Sequence, residues 1–181
     1  MKTIKLLALL FISTLAFTGC SDDDDHDHDH EEEVYTNLIY TLTNGDDVIT
    51  LEYEDLDPDD TEDGTYTISG NLTAGTTYIG EVTLLNKTDD EPEHAQEELE
   101  EEAEEHEFFY STTISDIVIE KTDMDADENP IGFDTTFTTG DTGTGTLTIT
   151  LIHEPTKPND DTVESAGGST DIEVTFDIEV E

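Results

Sequence analysis

Imidazoles interleaved with carboxylates raise the first chemical question in this chain. His26, His28 and His30 are separated by Asp27 and Asp29, and in an extended segment residues at i, i+2 and i+4 project to one side. They can converge on one ion with carboxylates alongside. Imidazole nitrogen and carboxylate oxygen are ligands for Zn2+, and Cu2+ or Ni2+ accept the same set. Protons compete for those nitrogens, so such a site weakens as pH falls. The run "DDEPEHAQEELEEEAEEHEF" carries His94 and His106. In an intact helix twelve residues would separate them by about 18 Å and 120°, so they are read as separate sites. His94 goes with Glu97 or Glu98, and His106 with Glu102. His153, in "LIHEP" at a strand end, adds one further imidazole beside Glu154.

Two loops have the alternating carboxylates of a calcium loop. "DLDPDD" places Asp55, Asp57 and Asp59 two residues apart, and "DMDADENPIGFD" does the same with Asp123, Asp125 and Asp127. Hard oxygen ligands at that spacing suit Ca2+. The sixth-position glycine of an EF-hand loop is replaced by Asp60 in one and Glu128 in the other. Position twelve is Tyr66 in the first and Asp134 in the second, so Asp123, Asp125, Asp127 and Asp134 form the better set. Nucleophile elbows, phosphate loops and HExxH are lacking, and paired carboxylates mean little among so many. The chain is therefore not read as an enzyme.

Charge excludes several partners. The 181 residues hold 49 Asp and Glu against 5 Lys and Arg, a formal net charge of -44. Beyond residue 19 the cationic side chains are Lys87, Lys121 and Lys157. Such a chain cannot neutralise phosphates, which rules out nucleic acid, and anionic lipid would repel it. Any membrane attachment must be covalent. Cys20 is the single cysteine, so no intrachain disulfide or cysteine-based zinc knuckle is available.

That cysteine stands at a telling place. Lys2 and Lys5 precede the apolar run "LLALLFISTLAF", too short to span a membrane. "FTGC" then resembles a bacterial lipobox, with Phe17 where Leu, Val or Ile is usual. The resemblance implies a signal peptide over 1–19 and lipidation at Cys20. "SDDDD" resembles the acidic signal that sends Bacteroidota lipoproteins to the outer leaflet. Residues 20–33 read as an extended, like-charged tether.

The elements that must position these groups are strands. Apolar residues alternate at Leu38, Tyr40 and Leu42, then at Ile49, Leu51 and Tyr53 after the turn "NGDD". The pattern returns at Tyr66–Leu72, Tyr78–Leu84, Phe108–Ile114, Ile131–Phe137 and Leu147–Leu151. It closes with Ile172, Val174, Phe176, Ile178 and Val180, whose intervening residues face out. A phase switch at Ser115-Asp116 predicts a bulge. About eight half-buried antiparallel strands over 34–181 predict one all-β domain, a sandwich or, alternatively, a closed barrel. "LTAGTTYIGEV" resembles the tyrosine corner of immunoglobulin and fibronectin type III domains, which favours the sandwich and implies a hydrogen bond from Tyr78 back to the upstream backbone. The acidic insertion 89–107 predicts one short helix after Pro92, with an apolar stripe of Ala95, Leu99 and Ala103. Glutamates at i,i+4 on its other faces predict weak docking.

The lipobox with "SDDDD", "NLTAGTTYIGEVTLLN", "EEEAEEHEFFYS", "GTGTLTITLIHEP" and "AGGSTDIEVTFDIEV" together resemble a group of small Bacteroidota surface lipoproteins. These are often labelled "type 1 periplasmic binding fold superfamily", and the resemblance spans most of the chain beyond the signal. The label implies alternating strands and helices, whereas the residues alternate as strands alone. The resemblance implies an outer-membrane location. The functional expectation is capture of a divalent metal, zinc above all, and transfer to a TonB-dependent transporter. The alternative is a calcium-stiffened interaction module binding a protein or glycan.

Overall fold

The chain enters its first hairpin through a turn that glycine makes possible. β1 (Asn37–Asn44) and β2 (Asp47–Glu54) pair from Asn37↔Glu54 to Asn44↔Asp47. Gly45 supplies the positive φ (+62°) that a two-residue hairpin requires. The computed structural model describes residues 34–57 and 64–181, which belong to one compact unit, Glu32–Glu181. The remaining elements are β3 (Thr65–Ile68), β4 (Thr77–Leu85), α1 (His94–Glu101), β5 (His106–Thr112), β6 (Val118–Lys121), β7 (Asp134–Thr138), β8 (Gly143–His153), α2 (Val163–Ala166) and β9 (Ser169–Val180).

Two antiparallel sheets face each other. The larger runs β3-β2-β1-β4-β7-β6 and the smaller β5-β8-β9. Each sheet keeps two edges, so the domain is a sandwich and not a closed barrel. It combines a sheet of six strands with one of three, and carries a tyrosine corner of the kind found in immunoglobulin domains. The alternating helices of a periplasmic-binding fold are absent from the described residues, whose helices are α1 and α2.

Burial follows the period-two pattern. Leu38, Tyr40, Leu42, Ile49, Leu51, Tyr78, Val82, Leu84 and Phe137 meet Phe108, Leu147, Ile149, Leu151, Val174 and Phe176 in one contiguous core. In β9 the residues Glu173, Thr175, Asp177 and Glu179 are exposed, as the alternation requires. Gly80 sits where a Cβ would lie 2.4 Å from both the Tyr40 hydroxyl and Thr135 Oγ1. Its absence allows the Tyr40–Thr135 hydrogen bond, 2.7 Å, to form beneath β4.

The tyrosine corner closes as expected. The Thr73 amide donates to the Tyr78 hydroxyl (2.9 Å), which donates to Asp47 Oδ2 (3.3 Å). Replacing Tyr78 by Phe strands that amide and should lower unfolding free energy by about 1–2 kcal/mol, read as a lower urea midpoint at unchanged slope.

Two local expectations are revised. Ser115-Asp116 is a turn through which the chain leaves the small sheet at β5 and enters the large one at β6, and the observed register shift is in β9, where Asp171 is the extra residue between Thr170 and Ile172, opposite Ile152 and Leu151 of β8. Ile152 joins Phe109 and Ala166 in a second cluster on the other face of β8 from Leu151, as strand alternation requires. The helix also docks more firmly than its charge suggested. Leu99 is fully buried in the main core, and Gln96 Oε1 accepts the Leu84 amide at 2.9 Å. β7 pairs with β4 no further than Glu81, so Gln96 satisfies an amide that the sheet leaves open.

Candidate metal centre

β5 begins at His106, inside the stretch 89–107 that the sequence marks as the acidic insertion. Its Cα partner in the ladder is His153, the final residue of β8, and His153 in turn pairs with Ser169 at the start of β9. Three strand ends therefore bring His106, His153 and Asp171 together. One ligand atom from each lies within 4.8 Å of the others. The imidazoles meet edge to face, with centroids 4.7 Å apart, and His106 Nε2 lies 3.7 Å from Asp171 Oδ2.

The orientation of His106 is fixed from behind. Its Nδ1 lies 3.0 Å from the Glu102 carbonyl oxygen. A carbonyl can only accept, so Nδ1 carries the proton and Nε2 is directed toward Asp171. A backbone carbonyl holding the far nitrogen is the common support of a metal-binding imidazole. Glu102 thus contributes its main chain, not the carboxylate expected of it. Gly168, with φ +71°, is the other condition: a Cβ there would lie 2.3 Å from the His153 carbonyl oxygen. Only glycine lets β9 start so close to β8.

Burial grades outward from this point. His106 is fully buried, while the side chains of His153 and Asp171 keep 18% and 14% of their exposure. Glu105 and Glu154 form a second group with His153, and Glu105 Oε2 stands 4.0 Å from His153 Nε2. A tetrahedral ion with bonds near 2.0–2.2 Å wants ligand atoms roughly 3.3–3.6 Å apart. The His–Asp separation is therefore within a few tenths of an ångström of what zinc takes.

The other candidates are placed differently. His94 is exposed and pairs with Glu91 at 2.9 Å, its neighbour on the preceding turn, while Glu98 is also exposed and gives its carbonyl to the Glu102 amide. Asp123, Asp125, Asp127 and Asp134 do not converge among the described residues. The Asp123 carboxylate accepts the Gly132 and Phe133 amides (2.9 and 3.0 Å), and Asp125 Oδ1 accepts the Asp127 and Asn129 amides. Lys157 Nζ sits 3.0 Å from Asp125 Oδ2, a fixed ammonium where the spacing suggested a free cation. Asp134, at the start of β7, has its carboxyl pushed up by burial and by the nearby Asp123 and Glu100. Asp55 caps the Asp57 amide (3.0 Å) and accepts the Tyr53 hydroxyl. Asp59, Cys20, His26, His28 and His30 lie outside the described residues.

Burial also pushes Asp125 up, but the Asn129 amide and the Lys157 ammonium outweigh it and hold the carboxyl below its usual value. A depressed folded pKa stabilises above the unfolded pKa and is lost as pH falls through the folded one. The stability deficit of Asp125→Asn relative to the native chain should be full at neutral pH. It should shrink below the ordinary carboxyl value of 3.8, measured by urea unfolding across pH.

The sequence pattern gave Asp171, in "GGSTD", only a place in a loop before the last strand and His153 only an accessory role. The signal that could have found them was register: "HEFFYS" opens a strand with His and "TLIH" closes one with His. An antiparallel pairing of the two must set those imidazoles side by side. Also unforeseen was the buried pair Lys121–Glu107, 2.7 Å apart, with Asp161 on the same ammonium and Asn159 on Glu107 Oε2. Together with Lys157, which donates to the Ala103 carbonyl at 2.8 Å, it fastens the 154–168 connection beside the strand ends. A scan against family models and searches of curated proteins and of solved structures find no match to this chain.

Proposed function

We propose that this chain is a lipid-anchored, surface-exposed outer-membrane protein that binds a divalent transition metal, zinc foremost, without catalysing a reaction. In this reading it presents the ion to a TonB-dependent transporter. The observation that carries the metal reading is the convergence of His106, His153 and Asp171 behind a carbonyl-fixed imidazole. Two nitrogens and one carboxylate are a zinc-class set that leaves a fourth position toward Glu105 and Glu154. Those exposed carboxylates give an ion a route in and out, which release to a partner requires. The anchor and location rest on the lipobox at Cys20, and "HDHDH" would serve as a first, weaker trap in front of the folded site.

Calorimetry tests it on two chains, one starting at Ser21 and one at Glu32. Zn2+ should bind both well below about millimolar, and Ca2+ more weakly, because it prefers six or more oxygens. Zinc binding no tighter than about millimolar in either chain would end the proposal.

A further inference from the structure

The seam between the two sheets is open at the end far from the imidazoles. β3 and β9 are edge strands of their respective sheets, and Tyr66 reaches across to Phe176 with centroids 5.9 Å apart. Beyond that contact lies a groove of about 480 Å3, walled by Ile49, Leu51, Ile68 and Ile178, with Asp177 and Glu179 at its rim. Ile68 is 37% exposed.

Backbone groups face the same opening. The Leu72 amide donates to the Glu179 carbonyl and the Glu181 amide to the Leu72 carbonyl, both at 2.8 Å. Those β9 residues therefore turn their peptide groups away from β8. Peptide groups alternate along a strand, so Glu173, Thr175 and Asp177 present N–H and C=O on that side too. Among the described residues, the bridge on that side is Leu72–Val180.

Charge decides what can lie there. A second copy of the chain, or its own "SDDDDHDHDHEEE" segment, would bring carboxylates against Asp177 and Glu179 in a chain of net charge -44. We propose that the groove and the β9 edge take an extended, basic segment of a partner protein as an added strand. Its apolar side chains would alternate into the groove and its Lys or Arg side chains would turn toward the acidic rim. This proposal is independent of the metal reading.

The probe is a fluorescent peptide of about eight residues alternating Val or Ile with Lys, compared with a peptide of the same composition in two blocks. Anisotropy with the Glu32–Glu181 unit should show the alternating probe binding at least about tenfold tighter than the block peptide and weakening in roughly 0.5 M salt. N-methylation of its odd or of its even amides separates pairing from adsorption: one register should lose about tenfold or more and the other should keep its affinity. Ile68→Glu, with folding checked by melting, should weaken the probe by a similar factor. Equal binding of alternating and block peptides, equal loss in both methylated registers, an unaffected Ile68→Glu variant, or no binding below about millimolar each overturn the proposal.

Discussion

Lys121→Met should unfold with a deficit of about 3–5 kcal/mol, the largest expected of any single exchange of a charged side chain in this domain. The ammonium and the Glu107 carboxylate are 6% and 4% exposed and 2.7 Å apart. Methionine keeps the packing over the Phe109 ring, where the ammonium now lies 4.3 Å from the centroid. What it removes is the countercharge, leaving a buried carboxylate with the Asn159 amide alone on its far oxygen. For a domain of this size the melting point should fall by roughly 10 °C. The double variant Lys121→Met, Glu107→Gln should recover much of that loss, because no buried charge remains to be solvated. A double variant as unstable as the single one would show that packing, not charge, sets the cost.

The second large effect is on the ion. With zinc at about a hundred times its dissociation constant, binding should add roughly 2.7 kcal/mol, which raises the melting point by about 5–10 °C. His153→Ala and Asp171→Asn should abolish that rise. Both residues are partly exposed, so the metal-free proteins should melt close to the native one; His106, fully buried, is the poorer choice for this test. Affinity should fall about 100-fold or more with either change. It should also fall in the native chain as pH is lowered, because protons compete with the ion for the imidazole nitrogens. A zinc-dependent rise that survives in both variants would place the ion elsewhere.

Much of the architecture was legible because burial in a sandwich imprints a two-residue period on every strand. Leu38-Tyr40-Leu42 and the closing run Ile172 to Val180 could hardly be anything else. The tyrosine corner was legible for the same reason: its chemistry is local, five residues from Thr73 to Tyr78. The candidate site was not, because it is made by pairing. His106 and His153 are far apart in the chain and become neighbours only through the β5–β8 register, and Asp171 joins through β9. Carboxylate spacing misled in the opposite way. The Asp123–Asp127 loop has a calcium-like rhythm, but its acids are spent on backbone amides and on Lys157, a partner 32 residues downstream of Asp125. Local pattern cannot register so distant a cation. Likewise the glutamates around α1 concealed that Leu99 and Gln96 would anchor it.

The β8–β9 ladder gives the domain two poles. At one, β8 ends in His153 beside Asp171; at the other it begins at Gly143 and Thr144, next to Glu179 and the groove. The eight residue steps of strand from Gly145 to His153 put roughly 27 Å between them. Asn37, where the chain enters β1, pairs with Leu85, the end of β4 on which α1 sits. The groove opens at the pole opposite the imidazoles. Two cargoes could be held at once without competing, and substitutions at one pole should leave the other's affinity unchanged.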